Sequence, residues 1–280
     1  MSSRLPVRSS GQARRRARPR RASARLSPRR AAAGLLLVLA AGAGWGVTAS
    51  SAFAVRDVAI EGTALTAQAA VSTALALPDP APNAFTLRTD ALRAQIRALP
   101  AVASVEVRVV LPGSLRVRIA EREPILAWRA AGRLLLVDRD GRVLADAAGA
   151  AATAAAVAAA AHLPTIDDRR VEREPPDPGG TLDAVDLEVA RRLLSLRPAD
   201  LGSAAPGLIV TVDDADGWLV LPAVEDPWTA VFGIYTPSLR PADLVPEQVR
   251  LLRSLMVAKK EATILRVVLA GPDSGTYVGR

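Results

Sequence analysis

The chain has 280 residues, about twice what one domain of ordinary size needs. Hydrophobic residues make up 50% and aromatic residues only 3%, so Ala, Val and Leu must fill most of any core. The chain has no cysteine and one histidine, which excludes disulfide scaffolds and thiolate zinc sites and leaves almost no material for an imidazole-built site. The commonest classes of enzyme are therefore not expected.

The net charge of +8 is concentrated at the N-terminus. Eleven of the 36 basic residues are arginines within residues 1–30, and the first acidic residue is Asp57. The rest of the chain carries 25 basic and 28 acidic residues and is slightly acidic. Nucleic acid is therefore not an expected partner, and residues 1–30 are predicted to form a disordered basic tail.

An uncharged stretch of 25 residues, 31–55, follows this tail. It is longer than the about 20 residues that a helix needs to cross a bilayer, so it predicts one transmembrane helix. By the positive-inside rule the tail lies in the cytoplasm and nearly everything after Val55 lies outside the membrane. The alternative is a cleaved secretory signal ending at Ala54, but the apolar and basic regions are too long for that plan.

The pattern of residues 56–123 predicts a small α+β module. A half-buried strand comes first, and two helices follow, one capped by Thr66 and one by Thr89 or Asp90. Two alternating strands, joined by a turn at residues 111–114, complete the order β-α-α-β-β. The two helices must cover one face of this sheet.

The same residues resemble the bacterial cell-division proteins FtsQ and DivIB. The resemblance lies in VRDVAIEGT, in LPAVASVEVRVVLPGSLRVRIAEREPILAW from Leu99 to Trp128, and in the LLLVDRDGRVL hairpin after it. One departure is Leu111, where an aromatic residue often precedes the proline of this family. The family implies a basic cytoplasmic tail, one membrane span, a POTRA domain and a C-terminal β domain.

The resemblance divides the exported part into a POTRA domain, residues 56–123, and a mixed β-sheet domain with flanking helices, residues 124–280. Helical periodicity predicts helices at residues 182–196 and 246–258 in the second domain, and a final β-branched strand runs from residue 263 to 269. The alanine-rich segment 147–161 is interpreted as an insertion that carries no chemistry.

Candidate catalytic and metal-binding residues are few, and no catalytic, cofactor or metal site is predicted. Asp138 and Asp140 lie in a turn without the spacing of a calcium loop, and His162 has no neighbouring ligand. The i, i+2 spacing of Glu121 and Glu123 would let them share one strand face, as a catalytic pair would, but such a position is typical of solvated surface. An envelope enzyme of unknown chemistry remains an alternative, with no small-molecule substrate indicated.

The resemblance implies a non-enzymatic scaffold of the division machinery in the inner membrane at the septum. Its partners would be single-span proteins of the FtsB/DivIC and FtsL types and the septal peptidoglycan synthesis machinery. The family binds such partners by adding a strand to an exposed edge of its C-terminal sheet. By resemblance that edge lies between residues 263 and 278, and its partner-binding residues are Leu265, Val267, Leu269 and Tyr277. Outer-membrane assembly and secretion proteins also contain POTRA modules, but they continue into a large barrel.

Overall fold

The N-terminal apolar stretch forms one helix of 22 residues, α1 (Pro28–Ala49), with no buried side chain. The computed structural model describes residues 27–238 and 240–280, so residues 1–26 of the predicted basic tail lie outside the described residues. Within the described part, α1 is the one helix long and apolar enough to cross a membrane. At about 1.5 Å per residue it is roughly as long as the hydrocarbon core is thick.

The expected span of residues 31–55 is divided in the structure. The helix ends at Ala49, and a 3-10 turn, Ser51–Phe53, follows, in which the Ser50 hydroxyl accepts the N–H of Ala52. Val55 is buried in the first folded core. The polar side chains of the TASS sequence favour this early end because hydroxyls compete with the helix for backbone groups.

Three strands and two helices follow, and they confirm the predicted order. The elements are β1 (Asp57–Glu61), α2 (Gln68–Leu75), α3 (Thr89–Arg97), β2 (Val102–Val110) and β3 (Ser114–Glu121). β1 is parallel to β3, which is antiparallel to β2, so the sheet order is β1-β3-β2. The alternating apolar residues of the strands pack against Val71 and Leu75 of α2 and Leu92 and Ile96 of α3.

Neither of these helices is capped as the sequence pattern predicts. The residues that precede them, Ala67 and Arg88, make no side-chain cap. The backbone N–H of Thr66 instead donates to Glu121, and its buried hydroxyl has no hydrogen-bond partner. The turn before α2 is therefore held by a carboxylate from β3, a contact far away in sequence.

A nine-stranded sheet forms the rest of the second unit, Ser50–Arg280. Its strands are β4 (Pro124–Ala130), β5 (Arg133–Asp138), β6 (Val143–Asp146), β7 (Thr165–Asp168), β8 (Leu208–Asp213), β9 (Gly217–Pro222), β10 (Thr229–Gly233), β11 (Ile264–Leu269) and β12 (Gly275–Gly279). The helices are α4 (Ala154–His162), α5 (Ala184–Leu194) and α6 (Val245–Lys259). The sheet order is β12-β11-β10-β9-β8-β7-β4-β5-β6, and α5 and α6 cover one face of it. The fold class is α+β, as predicted.

The alanine-rich segment, interpreted from the sequence as an insertion, packs as part of this sheet domain. Its helix α4 connects β6 to β7, which then lies parallel to β4. Ala156 and Ala160 are buried against Ala127 and Leu136, because small side chains allow a helix to approach a sheet closely. The segment therefore completes the core on the face that α5 and α6 leave open.

Polar contacts join the three-stranded and nine-stranded sheets. Arg122 donates to Asp138 at 2.9 Å, and Arg142 donates to the carbonyl of Pro100 at 3.0 Å. The hydroxyl of Thr153 donates to the carbonyl of Ala64 at 2.6 Å. Asp138 is buried, so its ion pair with Arg122 is partly shielded from solvent.

Candidate protein-binding edge

The nine-stranded sheet has one open edge among the described residues, and that edge is β12. All five residues of this strand are exposed. The opposite edge, β6, is covered: the N–H of Val143 donates to Gly180 at 2.9 Å, and the N–H of Gly179 donates to Val143 at 2.8 Å. An open edge presents unpaired N–H and C=O groups, which makes β12 the strand to which another strand can be added.

The backbone of β12 is oriented by its pairing with β11. The two strands are antiparallel, with Tyr277 opposite Val267, and the N–H of Arg280 donates to the carbonyl of Thr263 at 3.0 Å. Successive N–H groups of a strand point to opposite sides. Because the N–H of Arg280 points toward β11, the N–H of Val278, two residues earlier, points toward β11 as well. The N–H of Tyr277 therefore faces outward and is available to an added strand.

The side chains at this edge are apolar and exposed. Tyr277 is 44% exposed, and its ring centroid lies 5.1 Å from the Nζ of Lys259 at the end of α6. Val278 is 52% exposed, and Leu265, at a register shift in β11, is 45% exposed. An added strand would thus find apolar contacts beside its backbone hydrogen bonds.

Two of the four partner-binding residues predicted from the sequence lie in the core and not at the exposed edge. Val267 and Leu269 are fully buried in the core under α6, because alternate residues of β11 face the helices and β12 occupies the outer position. Their side chains cannot contact a partner. Leu265 and Tyr277 are accessible, as their predicted role requires, and so is Val278, which ends the predicted edge but was not named as a partner-binding residue.

A buried polar contact holds the end of β11. Gln248 of α6 donates to the carbonyl of Leu269 at 2.8 Å and to that of Phe232 at 3.1 Å. The hydroxyl of Tyr235 donates to Gln248 at 2.5 Å, and burial raises the pKa of this phenol. Helical periodicity alone pointed to the apolar residues of α6 and did not single out Gln248.

A carboxylate holds the start of β11. Glu261 accepts hydrogen bonds from the hydroxyl of Ser203, from Trp228 Nε1 at 2.8 Å and from the N–H of Ala204 at 3.1 Å. Burial by itself would raise the pKa of Glu261, but these hydrogen bonds outweigh it and lower the pKa below its usual value. The ionised carboxylate thus joins β10, β11 and the loop before β8.

This pKa shift predicts an acid-sensitive edge. A lowered pKa means that Glu261 stabilises the fold above its ordinary value of 4.5, and that this contribution is lost as the pH falls through the folded-state pKa. We expect Glu261→Gln to lower the free energy of unfolding near neutral pH and to reduce the loss of that free energy as the pH falls below 4.5. Urea unfolding of the full chain in detergent, at several pH values, measures the free energy of unfolding and its pH dependence. If the free energies of variant and parent change with pH in parallel, the stabilising role of ionised Glu261 is wrong.

The candidate catalytic residues of the sequence analysis are held in separate structural contacts. Glu121 accepts the N–H groups of Ala64, Leu65 and Thr66, so only Glu123 of the carboxylate pair is on the exposed surface, where both were expected. Asp138 accepts the N–H groups of Asp140 and Arg142 in the predicted turn. His162 is exposed at the end of α4.

A cavity of about 570 Å³ is bordered by an ion-pair network. Arg170 contacts Asp168 at 2.7 Å and Asp186 at 3.0 Å, and Arg173 contacts Asp186 at 2.5 Å. Burial raises the pKa of Asp186, and the two guanidinium groups oppose this shift. Among the described residues no group of three or more His, Asp or Glu side chains is arranged to hold a metal ion.

Comparison with known proteins agrees with the strand and helix order of the first sheet. The family model described as "POTRA domain, FtsQ-type" matches residues 53–122, which begins with the segment that contains buried Val55. The Cell division protein FtsQ of Cereibacter sphaeroides is 38% identical over 96 residues, 34% of this chain and 31% of that protein. The protein of the same name from Streptomyces venezuelae is 36% identical over 107 residues, 38% of this chain and 39% of that protein.

These alignments cover about a third of the length of the curated relatives. A further relative, the Cell division protein FtsQ of Mycobacteroides abscessus, is 34% identical over 107 residues, 38% of this chain and 34% of that protein. The chain therefore contains a segment that matches the FtsQ type of POTRA domain, and it is similar over about a third of its length to several proteins named Cell division protein FtsQ.

Proposed function

We propose that this protein is a non-enzymatic, single-span membrane scaffold of the bacterial division machinery. The names of its relatives support a role in cell division, and the exposed apolar helix α1 supports anchoring in the membrane. By the positive-inside rule, the arginines of residues 1–30 support a tail in the cytoplasm and residues 50–280 on the other side of the membrane. The protein would then act at the division septum.

The scaffold would capture its partners by strand addition at β12. The observation that carries this proposal is the open edge: β12 is exposed along its whole length, while β6 is covered. Main-chain hydrogen bonds would give affinity, and Tyr277 and Val278 would give selectivity. The partners proposed are extended segments of single-span division proteins of the FtsB/DivIC type, with FtsL-like proteins and the septal peptidoglycan synthesis machinery in the same assembly.

Two features support this function over the alternatives. The matching family model is specific to the FtsQ type of POTRA domain, which favours division over outer-membrane assembly or secretion. Two of the carboxylates considered as catalytic candidates, Glu121 and Asp138, accept backbone N–H groups that hold turns. A binding module therefore agrees better with the structure than catalysis does.

Microscopy of dividing cells tests the proposed role. We expect the full chain with an N-terminal fluorescent tag to form a ring at the division site, and depletion to produce filamentous cells. The tag should be placed at the N-terminus because β12 lies at the other end of the chain. A uniform envelope signal together with normal division on depletion would contradict the role in division.

A further inference from the structure

Three large apolar side chains are exposed at one end of the three-stranded sheet. Phe85 is 50% exposed, Val110 is 41% exposed, and Leu111 is 55% exposed. Phe85 also packs edge-on against Phe53, with ring centroids 5.1 Å apart. Exposed apolar side chains that lie together at one end of a module mark a surface for contact with a protein or a membrane.

The backbone brings these residues to the place where the chain enters the module. The N–H of Ala84 donates to the carbonyl of Phe53 at 2.8 Å, and the N–H of Arg56 donates to the carbonyl of Gly113 at 2.9 Å. Gly113 lies so close to Ala54 that a Cβ at position 113 would come within 2.3 Å of the Ala54 carbonyl oxygen. The segment of residues 53–56 thus lies between the loop that carries Phe85 and the hairpin tip that carries Val110 and Leu111.

Chain connectivity limits how far this end can be from the membrane. Phe53 is four residues beyond Ala49, where α1 ends. Four residues span at most roughly 14 Å even when fully extended. If α1 crosses the bilayer, as the proposed function states, the chain enters this end of the module within roughly 14 Å of the end of the anchor.

The charge beside the hairpin tip points to an anionic surface. Arg108 of β2 and Arg116 of β3 are directly opposite each other in the antiparallel register, and both are exposed. Like charges in opposed positions destabilise a strand pair. Arg108 contacts Glu106 at 2.5 Å, but Arg116 makes no ion pair within the described residues. Lipid phosphates would relieve this repulsion through charge-assisted hydrogen bonds.

We propose that Phe85, Val110 and Leu111, with Arg108 and Arg116, form a membrane-docking rim that rests on the anionic lipid surface around the anchor. The apolar side chains would enter the interfacial region, and the two guanidinium groups would bind lipid phosphates. This inference rests on the proposed membrane anchor. It would hold the first module against the bilayer and so restrict the directions in which β12 can meet a partner.

The cysteine-free sequence allows a direct test with single labels. Phe85→Cys and Leu111→Cys are each labelled with an NBD fluorophore in the full chain and reconstituted into vesicles of phosphatidylcholine and phosphatidylglycerol. We expect a lipid with a quencher near its headgroup to reduce the emission of both labels several-fold. Val171→Cys, at a fully exposed site of the nine-stranded domain, is the matched control and should not be quenched.

A label at Val38→Cys, at the middle of α1, is read with a second lipid that carries its quencher deep in the acyl chain, and it separates the anchor from the rim. Quenching at Val38 with rim labels no more quenched than the Val171 label would overturn the docking and leave the anchor intact. If the rim labels fluoresce as in an environment shielded from water but are not quenched by the lipid, protein such as a second copy covers the rim. That result would also overturn the proposal. No quenching at Val38 would overturn the anchor and the docking together. Arg108→Ser with Arg116→Ser, or vesicles without phosphatidylglycerol, should weaken quenching of the rim labels.

Discussion

Replacing Tyr277 by proline is expected to weaken the capture of a single-span division protein by about tenfold or more. Proline removes the outward N–H of Tyr277, and its ring would collide with an added strand. The net value of one hydrogen bond is about 1 kcal/mol, and the steric clash adds to this loss. The dissociation constant of the full chain for an FtsB/DivIC-like protein, both in nanodiscs, measures the effect.

Tyr277→Ala separates the backbone contribution from that of the ring. This variant keeps the N–H and loses the ring and its contact with Lys259. A proline at Val267 would not serve the same purpose, because β11 is an interior strand and Val267 is in the core. If Tyr277→Pro unfolds at the same temperature as the parent and binds with the same affinity, strand addition at β12 is wrong.

Replacing Glu121 by alanine is expected to destabilise the folded unit by about 3 kcal/mol. The carboxylate of Glu121 accepts three backbone N–H groups, from Ala64 at 2.9 Å and from Leu65 and Thr66 at 2.7 Å. Alanine leaves these three donors without their acceptor at a partly buried turn. For a folded unit of this size such a loss lowers the melting temperature by roughly 6–12 °C.

Glu123 provides the matched control for this prediction. It lies two residues away, in the short connection between β3 and β4, and is exposed, so Glu123→Ala should change stability by no more than about 0.5 kcal/mol. Glu121→Gln should fall between the two, because its amide oxygen still accepts but carries no charge. Chemical unfolding of the full chain in detergent compares all three, and equal stability of the two alanine variants would refute the role of Glu121.

The sequence alone determined the elements whose pattern is local. Alternating apolar residues in β2 and β3, helical periodicity in α5 and α6 and a 25-residue uncharged stretch each depend on near neighbours. The order β-α-α-β-β and its resemblance to the FtsQ/DivIB family followed from these patterns and from residue spacing. Both are confirmed by the structure and by the matched family domain.

Only the tertiary structure decided which residues form the edge and which hold the fold together. β12 is short and glycine-rich, so no periodic pattern revealed it, and its presence turned Val267 and Leu269 into core residues. Glu121 acts on backbone groups more than 50 residues earlier in the chain. Edge position, burial and long-range hydrogen bonding depend on which segments meet in space, and local sequence patterns do not carry that information.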